Sequence, residues 1–236
     1  MTIDCFLDWR DIRCIAGSCI RPGGQTLTER ALEFCSLRPG SLIADIGCGA
    51  GGSLEGLERT GVYRSVGLDY STTLLEEAVS RLASKQLVRG RAETLPFKNA
   101  LFDALLCECV LSVLGDKTGA LQECARVLCE GGVLILSDIF AKSNPDRGQP
   151  GADSQGPRRR APLAKEDLLG LLERLGLSLL LWEEHEMLLK EFAARMILAG
   201  VRLPDAWSRR QGQDGEKTDR AGLSYFLLVA RKAVAR

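Results

Sequence analysis

A chain of 236 residues, 45% apolar and 26% charged, has enough apolar surface to bury one full core. Its 31 basic and 31 acidic side chains cancel, so it carries no electrostatic footprint for nucleic acid, and Arg158-Arg159-Arg160 reads as a solvated loop. No apolar run reaches the ~20 residues of a membrane span, no signal-peptide core opens the chain, and its nine cysteines, all before residue 130, fit reduced thiols. These features point to a cytoplasmic protein with neither a nucleic-acid nor a membrane partner.

The first predicted element lies in residues 1–40, read as an N-terminal helical lid segment ahead of a larger domain over 41–236. Thr26 and Glu29 have capping-box spacing, which predicts a helix from Thr26 with Leu27, Ala31 and Phe34 on its inner face. Pro22-Gly23-Gly24 forms a turn before it.

The most informative stretch is Leu42 to Ser53, LIADIGCGAGGS. Leu42 to Ile46 reads as a buried strand ending near an acid, Asp45. Gly47, Gly49, Gly51 and Gly52 then let the backbone turn sharply and approach a ligand where a Cβ would collide. A helix is expected from about Ser53. Gly47, Gly49 and Gly52 also satisfy the G-x-G-x-x-G spacing of dinucleotide-binding enzymes. A nicotinamide-dependent oxidoreductase, however, normally has a buried apolar residue where Asp45 stands, and a carboxylate there needs a cationic or hydrogen-bonding partner.

Further strands are expected near 64–69, 86–90, 102–108 and 132–138. Between them, Leu75, Ala78, Val79 and Leu82 fall at helical spacing, as do Leu121, Cys124, Ala125 and Leu128. The second strand, SVGLDY, ends at Asp69 and Tyr70, with Asp69 about 20 residues past the glycines as ribose-binding acids are. GRAETLPF over 90–97 follows as a loop containing Ala92 and Glu93. FDALLCECVLS over 102–112 brings Cys107, Glu108 and Cys109 to a strand end, and ARVLCEGGVLILSD over 125–138 reads as helix, turn and strand.

Together these ordered blocks, over about residues 38–140, resemble class I S-adenosylmethionine (SAM)-dependent methyltransferases of the type-11 and ubiquinone/menaquinone-biosynthesis kind. The resemblance implies a Rossmann-like, seven-stranded, mostly parallel sheet with helices on both faces, its last strand antiparallel. It implies SAM as cofactor. Asp45, Gly47, Cys48 and Gly49 would place the methionine end, Asp69 and Tyr70 the ribose, and Ala92 and Glu93 the adenine. Cys107 would also line the cofactor, with Glu108 and Cys109 as catalytic candidates facing the acceptor. Cys129 and Glu130 depart from the family's usual basic residue and proline, at a turn remote from the expected cofactor.

After residue 140 the periodicity stops, and mobile loops are expected near 141–161 and 209–221. A helix at about 165–175, a strand at 177–182, an amphipathic helix marked by Leu189, Phe192, Ala193 and Met196, and a closing strand over 224–232 complete the chain. His185, the only histidine, stands among acids at 183, 184 and 186, which reads as a solvated turn unless it faces the lid as a base.

The expected function is methyl transfer to a small-molecule acceptor, with Val110, Leu111 and Val113 offering apolar pocket positions. Two alternatives stay open. Cys14, Cys19 and Cys109 would converge as thiolates in an arsenite-type methyltransferase, although no spacing matches a metal site and no metal is expected. A non-catalytic SAM-binding protein would keep Asp45 and Asp69 without an acceptor pocket. The sequence leaves oligomeric state open.

Overall fold

In the computed structural model, which describes residues 19, 21–142, 162–200 and 222–234, strands and helices alternate along the chain. The strands are β1 (Leu42–Ile46), β2 (Arg64–Asp69), β3 (Leu87–Arg89), β4 (Phe102–Glu108), β5 (Leu128–Ala141), β6 (Leu177–Glu184) and β7 (Leu223–Lys232). The helices are α1 (Gly24–Cys35), α2 (Gly52–Thr60), α3 (Thr72–Arg81), α4 (Lys117–Val127), α5 (Lys165–Arg174) and α6 (Glu186–Leu198). One seven-stranded sheet runs β3-β2-β1-β4-β5-β7-β6. β7 is antiparallel to both β5 and β6, while the β1, β2, β3, β4 and β5 pairings are parallel. This is the Rossmann-like, mostly parallel architecture that the resemblance implied.

Strand side chains alternate between two faces, so each strand feeds two apolar layers. Ala44, Ile46, Leu105, Leu134 and Leu228 pack with Leu121 of α4 and Leu168 and Leu172 of α5. Ile43, Ala104, Leu106, Ile135 and Val229 pack on the other face with Leu27 and Ala31 of α1, Leu54 and Leu57 of α2, Leu75 and Ala78 of α3, and Leu189 of α6. The chain leaves β1 for β2 and β3, then crosses back to β4 on the opposite side of β1. That reversal opens a crevice at the carboxyl ends of β1 and β4, where open α/β sheets bind ligands.

Several local expectations are corrected. α1 starts at Gly24, not Thr26: Gly23 is the cap residue in a left-handed conformation (φ 75°), and no side chain caps the helix, so the Thr26–Glu29 capping box does not form. Phe34 is 44% exposed, off the face that Leu27 and Ala31 bury. Val79 is likewise exposed on α3, and Leu82 ends that helix. β5 begins at Leu128, directly after α4, and runs to Ala141. The loops expected at 141–161 and 209–221 fall almost wholly outside the described residues, as does Cys14. Among the described residues, no helix is long and apolar enough to cross a membrane.

Candidate functional site

β1 delivers Asp45 to the crevice and the glycines turn the chain away from it. Gly47 has φ 76°, and a Cβ there would stand 2.4 Å from Val110 Cγ2. Its N–H and that of Cys48 donate to Leu68 O at 2.7 and 3.0 Å, fastening the loop to β2. Gly49, at φ 54°, has no heavy atom within 4 Å of where its Cβ would point, so the loop's outer side is open. The Gly49 N–H donates to Asp69 Oδ2 at 2.9 Å, and the Ser71 N–H donates to Oδ1 at 2.8 Å. Asp69 therefore joins the glycine loop to the start of α3, where Ser71 is the cap residue. Burial raises its pKa against those backbone donors.

Asp45 is 2% exposed, and its carboxylate accepts no hydrogen bond among the described residues. Burial, reinforced by the charge of Glu108, pushes its pKa up to about 8 in spite of Arg21. A buried acid without donors is costly when ionised, so this position favours a proton or an incoming cation.

Glu108, at the end of β4, is fully engaged. Thr28 Oγ1 donates to its Oε1 at 2.7 Å and Ser53 Oγ to its Oε2 at 2.7 Å, while Arg21 Nη2 pairs with Oε2 at 3.0 Å. Arg21 also donates to Thr28 Oγ1. The cluster thus ties the entry of α1 and the first turn of α2 to the carboxyl end of β4. Neither Arg21 nor Thr28 was singled out from the sequence, because nothing local marks a partner that far along the chain.

The other candidates are placed as follows. Cys48 and Cys107 are buried in opposite apolar layers, where burial raises both thiols. Cys109 sits in the left-handed region (φ 57°), its Sγ 3.3 Å from Tyr225 Oη, and burial raises its pKa as well. Cys19 is buried beside α1. Tyr70 is 52% exposed. Ala92 is buried, and Glu93 pairs with Arg91 at 3.2 Å. Val110 and Leu111 are buried against the core, Val110 beside Gly47, and Val113 is exposed.

The loop carrying Ala92 and Glu93 is held by a residue the sequence did not flag. Arg126 on α4 donates to Leu95 O at 3.0 Å, Phe97 O at 2.8 Å and Asn99 Oδ1 at 2.7 Å. Glu123 orients that guanidinium and also accepts the Leu95 N–H at 2.7 Å.

A cavity of about 640 Å³ opens between α1 and α6. Its walls are Cys19, Arg21, Gly23, Gly24, Gln25, Thr26, Leu27 and Arg30 on one side and His185, Leu188, Phe192 and Arg195 on the other. His185 therefore faces α1 across this cavity. Its backbone N–H donates to Tyr225 O at 2.7 Å, and its Nε2 lies 3.3 Å from Glu183 Oε2. Arg21 belongs both to this cavity and to the Glu108 cluster. Among the described residues, no group of His, Cys, Asp and Glu is arranged to hold a metal ion.

Comparison with known proteins accords with this geometry. Residues 44–136 match the family model of a methyltransferase domain. Over 130 residues the chain is 31% identical to a malonyl-[acyl-carrier protein] O-methyltransferase of Serratia marcescens, covering 55% of this chain and 51% of that protein. Over 81 residues it is 40% identical to the 18S rRNA (guanine(1575)-N(7))-methyltransferase of Saccharomyces cerevisiae, covering 34% of this chain and 30% of that protein. The chain thus spans about half or less of these curated relatives. In fold, it superposes with a TM-score of 0.74 on the [4+2]-cyclase SpnF, at 22% identity over 98% of this chain and 94% of the other. The same fold therefore houses a protein described by a different activity. Residues 44–136 thus match a methyltransferase domain, on a sheet of the kind that resemblance to class I SAM-dependent methyltransferases implies.

Proposed function

We propose that the protein binds SAM in the crevice at the carboxyl ends of β1, β2 and β4 and transfers its methyl group to a small-molecule acceptor. The observation that carries this reading is the unpartnered, buried Asp45 carboxylate beside the open face of the Gly47–Gly49 loop. Asp45 and Glu108 lie near one guanidinium, Arg21, with Asp69 close to Asp45, an excess of acid that suits a ligand bearing an ammonium and a sulfonium. The residues present fit the cofactor.

Asp45 and the glycine loop would hold the methionine end, Asp69 the ribose hydroxyls, and Ala92 and Glu93 the adenine. Bound SAM would supply an electrophilic methyl group for in-line displacement. The protein's own task is then positioning, which contributes on the order of 7–11 kcal/mol in well-aligned reactions. Glu108 acts here as a positioning residue, because Thr28, Ser53 and Arg21 already occupy its oxygens. His185 is the cavity-lining group able to accept a proton from an acceptor that carries one.

The cavity beside Arg21 supports a small acceptor, and the balanced charge supports the same choice over RNA. The test is calorimetric titration of the folded chain with SAM beside an Asp69→Asn variant, with thermal melts to verify that both are folded. Saturable binding that weakens in the variant is expected. Failure of SAM to bind the intact protein at millimolar concentration would overturn the reading.

A further inference from the structure

The cavity between α1 and α6 is polar in one sense only. Among the described residues, Arg21, Arg30, Arg195 and His185 contribute to its lining and no acidic side chain does, while Leu27, Leu188 and Phe192 supply apolar surface. Two of the guanidiniums are already matched. Arg21 is paired with Glu108, and Arg30 Nε lies 3.1 and 3.0 Å from the two carboxylate oxygens of Glu183, which His185 also shares. Arg195 has no carboxylate partner among the described residues. Among the described lining residues, Arg195 is thus the one guanidinium without a carboxylate partner.

We infer that this cavity takes an amphiphilic acceptor bearing one anionic group, a carboxylate or a phosphate, seated on Arg195 with its apolar body against Leu27, Leu188 and Phe192. The inference rests on the proposed methyltransferase reading and names the acceptor class for it. Arg195 projects from α6, and the guanidinium fork matches both anions bidentately. Arg21 separates the cavity from the Glu108 cluster and is fixed there, so the acceptor's far end meets the crevice across a single immobilised side chain. A volume of about 640 Å³ accommodates such a molecule and lies within the range of small-ligand sites. A cationic acceptor would have to place its positive charge beside the unmatched Arg195, with no carboxylate among the described lining residues to receive it.

The test is titration of the full chain, saturated with S-adenosylhomocysteine, with octanoate, octyl phosphate, octanol and octylamine, in the parent and in Arg195→Gln, Arg195→Lys and Phe192→Ala. One or both anions are expected to bind, with octanol and octylamine about tenfold weaker or more, as loss of a charge-assisted contact requires. Which anion binds more tightly identifies the head group. Arg195→Gln should remove the preference for anions, Arg195→Lys should retain part of it, and Phe192→Ala should weaken all of the chains alike. Equal binding of octanol and octanoate, or an unchanged preference in Arg195→Gln, would overturn the inference. So would tighter binding of a short RNA than of either anion. SAM binding separates the two readings: if SAM binds and the anions do not, only the acceptor class fails. If the anions bind and SAM does not, the methyltransferase reading fails and the cavity remains an anion site.

Discussion

Arg21 Nη2 and Glu108 Oε2 meet at 3.0 Å, with both side chains more than nine-tenths shielded from water. Such a pair contributes little net stability over apolar residues of similar shape, yet removing one partner strands the other charge. Arg21→Met should therefore cost about 3–5 kcal/mol. Adding Glu108→Gln should recover most of that loss, because a neutral amide still meets Thr28 and Ser53. Urea unfolding of the two single variants and the double variant measures the coupling, and simple additivity would show that the pair is not coupled.

Asp45 gives a pH dependence with a defined sign. Between the ordinary carboxylate range and about 8, the native protein holds a proton on Asp45 that the unfolded chain has released. The contribution of this group to stability therefore falls as pH rises through that window and levels off above it. Asp45→Asn should flatten this component and be more stable than the parent at pH 8, the gap narrowing towards pH 4. If Asp45 meets the cationic end of SAM, affinity in the parent should rise with pH up to about 8, and this dependence should vanish in the variant. Melting curves and titrations at several pH values measure both.

Gly47→Ala would place a Cβ 2.4 Å from Val110 Cγ2 at a backbone angle of φ 76°. Left-handed strain and overpacking together should cost about 2–4 kcal/mol. Val110→Ala in the same chain should relieve the overpacking and leave the strain, so the double variant should melt above Gly47→Ala. Thermal denaturation of the pair decides it.

Arg126→Ala should loosen the segment over residues 94–101 without unfolding the sheet, because Leu95 O and Phe97 O lose their donor at the half-exposed edge of α4. Amide hydrogen exchange should quicken there while β1 stays protected. Under the proposed function SAM affinity should drop as Ala92 and Glu93 lose their support. Arg126→Lys should not rescue either effect, since an ammonium cannot span two carbonyls and the Glu123 carboxylate at once.

β1, β2 and β4 were legible because they are short apolar runs that close on acids or run into glycines, and because Asp45 and Asp69 stand near strand ends where the spacing put them. The helix starts were less legible. Thr26 and Glu29 carry a capping box, but Gly23 and Gly24 tolerate left-handed angles (φ 75° and 51°) and begin α1 two residues earlier. Glu108 reads as a free acid beside the acceptor only until Thr28 and Arg21 arrive from a segment with no periodic signal linking it to β4. The cavity has the same origin. Its two walls are α1 and α6, which lie far apart in sequence and meet only through the sheet, whereas Val110, Leu111 and Val113 are neighbours in sequence and do not line it.

β7 has a consequence for the order in which the molecule is made. It lies between β5 and β6, and β6 has no other neighbour in the sheet. The half of the sheet that carries Asp45, Asp69 and Glu108 can pair as it leaves the ribosome, strand beside strand. β6, and with it the backbone of His185 that donates to Tyr225 O at 2.7 Å, must wait for residues 223–232. The half bearing the glycine loop is thus able to form early in synthesis, and the cavity wall at His185 is completed only when β7 pairs beside β5.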